Sequence, residues 1–329
     1  MRSTQPNNAM PTPRVRSFAW PANLKLGDLA LPIFIVMLAL TAGAIEPRFF
    51  SWSNFENLAR QIAPLAIAST GQAFAIISGG LDLSIAAVMS LAGVAGIIAL
   101  PHVGIAGCIA VMLVTGGLAG FASGSIIAYF KTTPLIVTLG MMSIAQAIAL
   151  ILSNGVPIYN VPEALTDTVG FGNVLGIPST VVISSMTMIA SSFLLRRTIF
   201  GRYIYAIGSS RSAAEKSGID VRFYTMLVYI VAGVTSGIGA LVLTAWVGAA
   251  QPVAAPTLTL QSLAAVVLGG VALTGGSGSI LQVFYGVLIL GMLSNAMNMI
   301  GISDFYQTLA VGIVIILAVI LDRVRREHE

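Results

Sequence analysis

The charged stretch Arg196–Arg222, RRTIFGRYIYAIGSSRSAAEKSGIDVR, is the segment around which the fold of this chain is organised. It is the only long charged segment that lies between two apolar segments. Six of its residues are basic: Arg196, Arg197, Arg202, Arg211, Lys216 and Arg222. A basic connection of this kind is typical of the cytoplasmic side of a membrane protein.

Within this stretch, the spacing of polar and glycine residues predicts a short helix. Ser212 and Glu215 are three residues apart, as in a capping box, where each side chain accepts a hydrogen bond from the other residue's backbone amide. Gly208 precedes the predicted helix and Gly218 stands where it would end. A short capped helix suits docking against another protein. The alternative is a basic loop that only fixes the orientation of the chain in the membrane.

The composition indicates an all-α, polytopic membrane protein. Of the 329 residues, 57% are hydrophobic and 9% are charged, whereas about a quarter of the residues in a soluble domain are charged. The apolar residues form blocks near the length that a helix needs to cross about 30 Å of hydrocarbon. Helices are required because lipid offers no hydrogen-bond partner to exposed backbone groups. The formal charge of +4 comes from basic residues beside the spans and does not indicate nucleic-acid binding.

The apolar blocks predict about ten spans in a transmembrane domain at 28–322. The predicted spans are 29–45, 59–77, 84–100, 103–129, 134–152, 179–195, 222–246, 259–275, 280–300 and 305–321. The polar, proline-containing residues 1–27 are predicted to form a disordered cytoplasmic tail, and 323–329 to form a second cytoplasmic tail.

The distribution of basic residues orients these spans. If both termini are cytoplasmic, fourteen lysine and arginine residues lie on the cytoplasmic side and two, Arg48 and Arg60, on the outer side. The positive-inside rule strongly favours this arrangement. The fourteen comprise the six of the charged stretch together with Arg2, Arg14, Arg16, Lys25, Lys131, Arg323, Arg325 and Arg326.

Two spans are interrupted by glycine-rich breaks. The first break is Ser78–Ser84, SGGLDLS, and the second is Gly269–Ser279, GGVALTGGSGS. Broken helices in transporters free backbone groups and helix ends to line a pathway. The alternative is close helix packing through small residues. The breaks are also compatible with an inverted repeat of two five-span halves, although the halves show no convincing sequence similarity.

Asp82 is the only carboxylate clearly inside the apolar blocks. An acid at the bilayer centre costs about 2.5–3.5 kcal/mol, so it requires a polar partner or a capping role. One interpretation is a proton or cation site in an ion-coupled secondary transporter. The other interpretation, which we favour, is an N-cap for the helix that begins near Ser84.

Uncharged polar residues beside the spans offer hydrogen bonds to a hydroxylated solute, although each can equally join two helices. Asn295 and Asn298 share one helix face. Together with residues of the breaks and the start of the last span, they form the predicted translocation path: Gly79, Gly80, Asp82, Ser84, Gly269, Gly270, Asn295, Asn298, Tyr306 and Gln307.

The sequence contains no motif for catalysis. It has no GxxxxGK[ST] phosphate loop, no HExxH motif and no paired cysteines for a metal. We therefore expect a protein that is not an enzyme, with no cofactor or metal of its own. Such a chain conducts passively, couples to an ion, or receives energy from a partner.

Five stretches resemble the permease subunits of bacterial ATP-binding-cassette sugar importers of the ribose, xylose, arabinose and galactofuranose group. They follow the order of that family from about residue 45 to the C-terminus, and residues 1–27 lie outside the resemblance. The stretches are Phe49–Leu58, Ser78–Ser84, Gly201–Gly208 with Ala213–Ile219, Ala264–Gly278 and Asn295–Gln307.

This resemblance implies a pore-forming subunit in the bacterial inner membrane that imports a sugar, with a monosaccharide expected. It implies a second permease copy or paralogue, a cytoplasmic ATPase that binds ATP and magnesium, and a periplasmic sugar-binding protein. Ala213–Ile219 would be the coupling helix in a groove of the ATPase. The implied coupling residues are Gly201, Tyr203, Gly208, Ser212, Ala213, Ala214, Glu215, Gly218 and Ile219.

Overall fold

A computed structural model describes residues 26–253, 257–303, 305–314 and 316, which form a helical bundle and confirm the all-α class. Its long helices are α1 (Leu26–Ile45), α2 (Trp52–Ile77), α3 (Ile85–Phe130), α4 (Pro134–Leu152), α6 (Ser179–Arg197), α9 (Val221–Val247) and α11 (Ile280–Met299). Its shorter helices are α5 (Glu163–Leu165), α7 (Ile199–Ser209), α8 (Arg211–Lys216), α10 (Leu258–Leu268) and α12 (Phe305–Val314). The remaining elements are a 3-10 turn (Pro47–Phe50), a π-helical turn (Thr166–Gly170) and a hairpin of β1 (Asn173–Val174) and β2 (Ile177–Pro178).

Helix α2 is the central helix of the bundle. Every residue from Ala63 to Ile77 is buried, because small and apolar residues occupy all sides of this part of the helix. Its neighbours are α6, α9, α10 and α11. With 26 residues, α2 extends for about 39 Å and connects the two ends of the bundle.

Helix α3 is a hairpin of two arms with a reversal at Gly104. The backbone there has φ 68° and ψ −177°, which is outside the helical region. A methyl group on Gly96 would lie 3.2 Å from the carbonyl oxygen of Cys108, whereas residues twelve positions apart in a straight helix are separated by about 18 Å. The two arms therefore lie side by side, in agreement with the predicted spans 84–100 and 103–129.

The second arm of α3 packs closely against α9. Gly116 on α3 and Gly233 on α9 face each other, and a methyl group on either would overlap the carbonyl oxygen of the other. Small residues at such a contact let two backbones approach and gain dispersion energy that lipid cannot replace.

Two predicted boundaries are wrong. Helix α1 already includes Leu26 and Gly27, so the predicted disordered tail is too long, and residues 1–25 of that tail lie outside the described residues. The predicted span 259–275 ends early, because α10 stops at Leu268 and the glycine-rich segment after it is not helical. An 11-residue helix is about 17 Å long and cannot cross a bilayer alone.

Five of the described helices are long and apolar enough to cross a membrane. They are α3, α4, α6, α9 and α11. The number of ten spans stays a prediction, because most of the last predicted span and the tail at 323–329 lie outside the described residues.

A reciprocal amide pair joins α2 to α11. Each of Asn54 and Asn295 donates its side-chain Nδ2 to the Oδ1 of the other at 3.0 Å, and Asn54 also donates to the carbonyl of Phe49 at 2.9 Å. Both asparagines are buried. Asn295 is one of the predicted path residues, whereas Asn54 is not predictable from local sequence, because its partner is 241 positions away.

We expect Asn54→Ala and Asn295→Ala to destabilise the bundle, because each leaves a buried amide without its partner. Interhelical hydrogen bonds in membranes contribute about 0.6 kcal/mol on average and up to about 1.7 kcal/mol. Unfolding of the two single variants and the double variant in detergent gives the coupling energy. A double variant whose loss equals the sum of the single losses would contradict the amide pair.

Candidate functional site

Helix α8 begins two residues before the sequence-based prediction. The Ser210 hydroxyl caps it by accepting a hydrogen bond from the Ala213 amide at 3.3 Å. The predicted capping box of Ser212 and Glu215 is therefore wrong, because Ser212 already lies inside the helix. Glu215 instead pairs with Arg211 at 3.7 Å, and both side chains are about half exposed, so this ion pair adds little stability.

The end of α8 agrees with the prediction. Gly218 has φ 82°, a left-handed conformation that glycine adopts without strain. The Gly218 amide donates to the carbonyl of Glu215, and the Ile219 amide donates to the carbonyl of Ala214, both at 3.1 Å. This is a Schellman motif, and it fixes the position where α8 stops.

Helix α8 has one buried face and one exposed face. Ala214 is 4% exposed and packs with Ile207 of α7 and Val221 of α9. Ile219 packs against the same cluster. Ala213, in contrast, is exposed. The helix is thus fixed to the bundle by Ala214 and presents Ala213 on its outer side.

A tight corner positions α7 after α6. Thr198 caps α7 by accepting a hydrogen bond from the Gly201 amide at 3.3 Å. A methyl group on Gly201 would lie 2.6 Å from Cα of Leu195 and would overlap its carbonyl oxygen. Gly201 therefore permits the sharp approach of α7 to α6, and its role in coupling stays a prediction.

A series of aromatic rings connects α7 to the end of α2. The ring of Phe200 lies 6.1 Å from Phe74 of α2 and 6.2 Å from Tyr224 of α9, measured between centroids. Tyr203 packs edge-on against Tyr224 at 4.8 Å. Tyr203, a predicted coupling residue, therefore packs on the ring that links α7 to α9.

The two glycine breaks meet each other and α7 in a backbone contact. The Gly276 amide donates to the carbonyl of Ile77 at 2.9 Å. A methyl group on Gly208 of α7 would overlap that carbonyl oxygen and lie 2.5 Å from the Gly276 nitrogen. A methyl group on Gly275 would lie 2.8 Å from Cα of Gly79. We term these five residues the glycine junction.

A tyrosine hydroxyl adds a second connection between α7 and the second break. Tyr205 donates to the carbonyl of Gly278 at 2.7 Å. Burial raises the pKa of the Tyr205 hydroxyl, an effect that the charge of Arg196 partly opposes. The hydroxyl therefore remains a donor at neutral pH, and α7 is attached to the second break both by this bond and through the glycine junction.

The two breaks are also the basis of the predicted inverted repeat. The broken helices of inverted repeats lie near the bilayer midplane, at the interface of the two repeats. The hydrogen bond between Gly276 and Ile77 is compatible with such an arrangement and does not test it. The inverted repeat stays a prediction.

The Asp82 carboxylate organises the turn before α3. Its Oδ1 accepts from the backbone nitrogen of Ser84 at 2.9 Å and from the Ser84 hydroxyl at 2.6 Å. Asp82 is 4% exposed, and α3 begins at Ile85, directly after Ser84. This arrangement agrees with a capping role, although Ser84 rather than Asp82 occupies the N-cap position.

Helices α4 and α9 hold the first break on its other side. The carbonyl of Leu81 accepts from the hydroxyls of Tyr229 and Thr138, each at 3.4 Å. A methyl group on Gly80 would overlap the Tyr229 hydroxyl and lie 3.5 Å from Pro134. A larger residue at this position would therefore require the Tyr229 side chain to shift.

The remaining predicted path residues lie in two different parts of the bundle. Gly269 packs on the backbone of Gln282 of α11, and Gly270 ends α10 with φ 91°. At the opposite end of α11, Gln307 donates to Oδ1 of Asn298 at 2.5 Å. Tyr306 is 65% exposed. The role of all these residues in a path stays a prediction.

Sequence reasoning missed Ile77, Tyr205, Gly275, Gly276 and Gly278 as members of the site. The glycines were noticed as part of a break, but their partners lie about 70 and 200 positions away in sequence. Contacts between backbone atoms do not depend on particular side chains, so they leave no recognisable pattern in the sequence. Only the concentration of glycine in both breaks indicated a close approach.

We expect Gly208→Ala to force the glycine junction apart, because backbone atoms cannot rotate away from a new methyl group. The strain should cost about 1–3 kcal/mol, measured by thermal unfolding of the purified protein. The matched control is Gly140→Ala, where a methyl group meets nothing within 4 Å. The control should be as stable as the parent or slightly more stable. Equal stability of both variants would contradict the contact.

A second prediction separates the observed cap of α8 from the expected one. Ser210→Ala removes the cap and should destabilise α8 by about 1 kcal/mol, which speeds hydrogen exchange at the Ala213 amide by about fivefold. Ser212→Ala removes no capping bond and should leave that exchange rate unchanged. Faster exchange in Ser212→Ala, with an unchanged rate in Ser210→Ala, would instead support the capping box.

Comparisons with known proteins agree with this architecture. Residues 54–319 match the family model described as branched-chain amino acid transport system / permease component. The chain is 36% identical to the ribose import permease protein RbsC of Haemophilus influenzae, over 88% of this chain and 91% of the relative. It is 33% identical to the D-allose transport system permease protein AlsC of Escherichia coli, over 95% and 98% of the two chains.

A third relative extends the comparison almost to the full length. The L-arabinose ABC transporter permease protein AraH of Azospirillum brasilense is 32% identical, over 99% of this chain and 95% of the relative. No solved structure matches the chain. Because the family model covers most of the sequence, the chain belongs to the branched-chain amino acid transport system / permease component family.

Proposed function

We propose that this chain is the permease subunit of an ATP-driven importer that moves a sugar, specifically a monosaccharide, across the bacterial inner membrane. The relatives named above are permeases for ribose, D-allose and L-arabinose, and they match nearly the whole chain. Uncharged polar residues predominate over charges in the apolar segments, which suits a neutral solute rich in hydroxyl groups.

The single observation that carries this proposal is the attachment of α8 to both glycine breaks. Its buried residue Ala214 fixes it to α7 and α9. Helix α7 in turn contacts the ends of α2 and of the second break through the glycine junction. A force applied to the exposed face of α8 would therefore reach both breaks, first through the packing of Ala214 and then through the backbone contacts of the glycine junction.

The proposed partners follow from this role. A cytoplasmic ATPase would seat α8 in a groove, and in this proposal the ATP and magnesium bind to that ATPase. A second permease, identical or related, would complete the pore, and a periplasmic sugar-binding protein would deliver the solute. In this proposal α8 and both chain termini lie in the cytoplasm, an orientation that the basic residues of the charged stretch favour.

An ion-coupled transporter that uses Asp82 is the competing function, and no observation favours it. The carboxylate accepts two hydrogen bonds from Ser84 and thereby organises the start of α3. Our proposal for the sugar path remains the ten residues predicted from the sequence, which are Gly79, Gly80, Asp82, Ser84, Gly269, Gly270, Asn295, Asn298, Tyr306 and Gln307.

We expect Ala213→Glu to abolish ATP-driven sugar uptake in proteoliposomes, because a charged side chain on the exposed face of α8 blocks its seat on the ATPase. The variant should insert normally, since Ala213 is exposed. Ala213→Ser, which keeps the side chain small, is the matched control and should retain uptake. Normal ATP-driven uptake by Ala213→Glu would contradict the proposal.

A further inference from the structure

A small hairpin stands at the opposite end of α2 from the glycine junction. Strands β1 and β2 pair with Asn173 opposite Pro178 and Val174 opposite Ile177. The two residues of the turn are Leu175 and Gly176, with φ 54° and 82°. A turn with two positive φ values is the type I′ geometry that favours Asn-Gly, and leucine is an unusual residue at its first position.

The strained leucine is also the most exposed part of the hairpin. Leu175 is 98% exposed, and Phe171, Val174 and Ile177 are each about half exposed. A two-stranded sheet leaves unpaired backbone groups along both outer edges, which hydrocarbon cannot satisfy. The hairpin therefore belongs in water, where its apolar tip lacks a partner within the described residues.

Arg60 of α2 connects the base of the hairpin to the bundle. Its side chain is 12% exposed and donates from Nη2 to the carbonyl of Phe171 at 3.4 Å and to Oδ1 of Asn173 at 3.3 Å. Its guanidinium also lies 5.8 Å from the centroid of the Phe171 ring. A short two-residue turn on an anchored base loses less conformational entropy than a free loop when a partner binds.

The charges around the hairpin indicate the kind of partner. Residues 153–178 include no lysine or arginine, whereas Glu163 and Asp167 are exposed. The backbone of Asp167 packs against Gly172, so this acidic turn adjoins the hairpin. An anionic lipid surface would repel this region, whereas a soluble protein with basic residues around an apolar pocket would complement it.

We propose that the tip at Leu175 is a docking knob for the sugar-binding protein, which receives it in an apolar pocket with a basic rim. This inference rests on the proposed function, because it names the surface by which the solute reaches the permease. In this proposal the strain of leucine at the turn is offset by the burial of its side chain when the partner docks.

The test replaces Leu175 by a residue that suits the turn and cannot fill an apolar pocket. Leu175→Asn keeps the turn, because asparagine tolerates positive φ, and its thermal stability should equal or exceed that of the parent. In the assembled transporter, the dissociation constant of the importer's purified sugar-binding protein should rise by about tenfold or more. ATPase activity without the binding protein should be unchanged.

The matched control is Ile45→Asn, an exposed apolar residue at the end of α1 outside the hairpin, which should leave the dissociation constant unchanged. An unchanged constant for Leu175→Asn overturns the inference. If Leu175→Asn binds the sugar-binding protein normally but is less stable than the parent in lipid bilayers and equally stable in detergent, the inference is also overturned. The tip would then contact lipid. A failure of the proposed function is distinguishable, because the unmodified assembly would then show no ATP-driven uptake. That result would contradict the inference as well.

Discussion

One backbone hydrogen bond, from the Gly276 amide to the Ile77 carbonyl, joins the second glycine break to the end of α2, directly before the first break. Gly208 lies so close to both atoms that even one methyl group would separate them. Such a contact contains no flexible side chain that can yield, so α7 and the two breaks are constrained to stay together. The rest of the account depends on this constraint, because it turns three distant segments into one mechanical unit.

Other contacts connect this unit to both ends of the bundle. Helix α8 supplies an exposed face and is attached to α7 and α9 by Ala214, while the ring of Phe200 connects α7 to Phe74, one turn before α2 ends. The central helix α2 then runs for about 26 Å from Ile77 to Arg60, which holds the hairpin. A single buried helix thus links the proposed ATPase contact at one end of the bundle to the proposed sugar-binding protein contact at the other.

The sequence predicted the parts of the fold that depend on composition and local chemistry. Long apolar blocks, the two breaks and the Gly218 end of α8 were all recognisable, because hydrophobic length and glycine act locally. The start of α8 was misplaced, because Ser210 and Ser212 are equally suitable caps and only the path of α7 selects the first. The partner of Asn295 and the members of the glycine junction were not predictable, because they meet through tertiary contacts between backbones or amides far apart in the chain.

The central claim is that α7 and the second break move as one body when the ATPase acts. Spin labels at cysteines introduced for Ser209 and Ser277, both exposed, measure their separation in the assembled transporter, with the buried Cys108 replaced by serine. The account predicts that this separation stays the same with and without ATP, while the distance from Ser209 to a label at Asn154 on the opposite end changes. A Ser209–Ser277 separation that changes on ATP binding would contradict it.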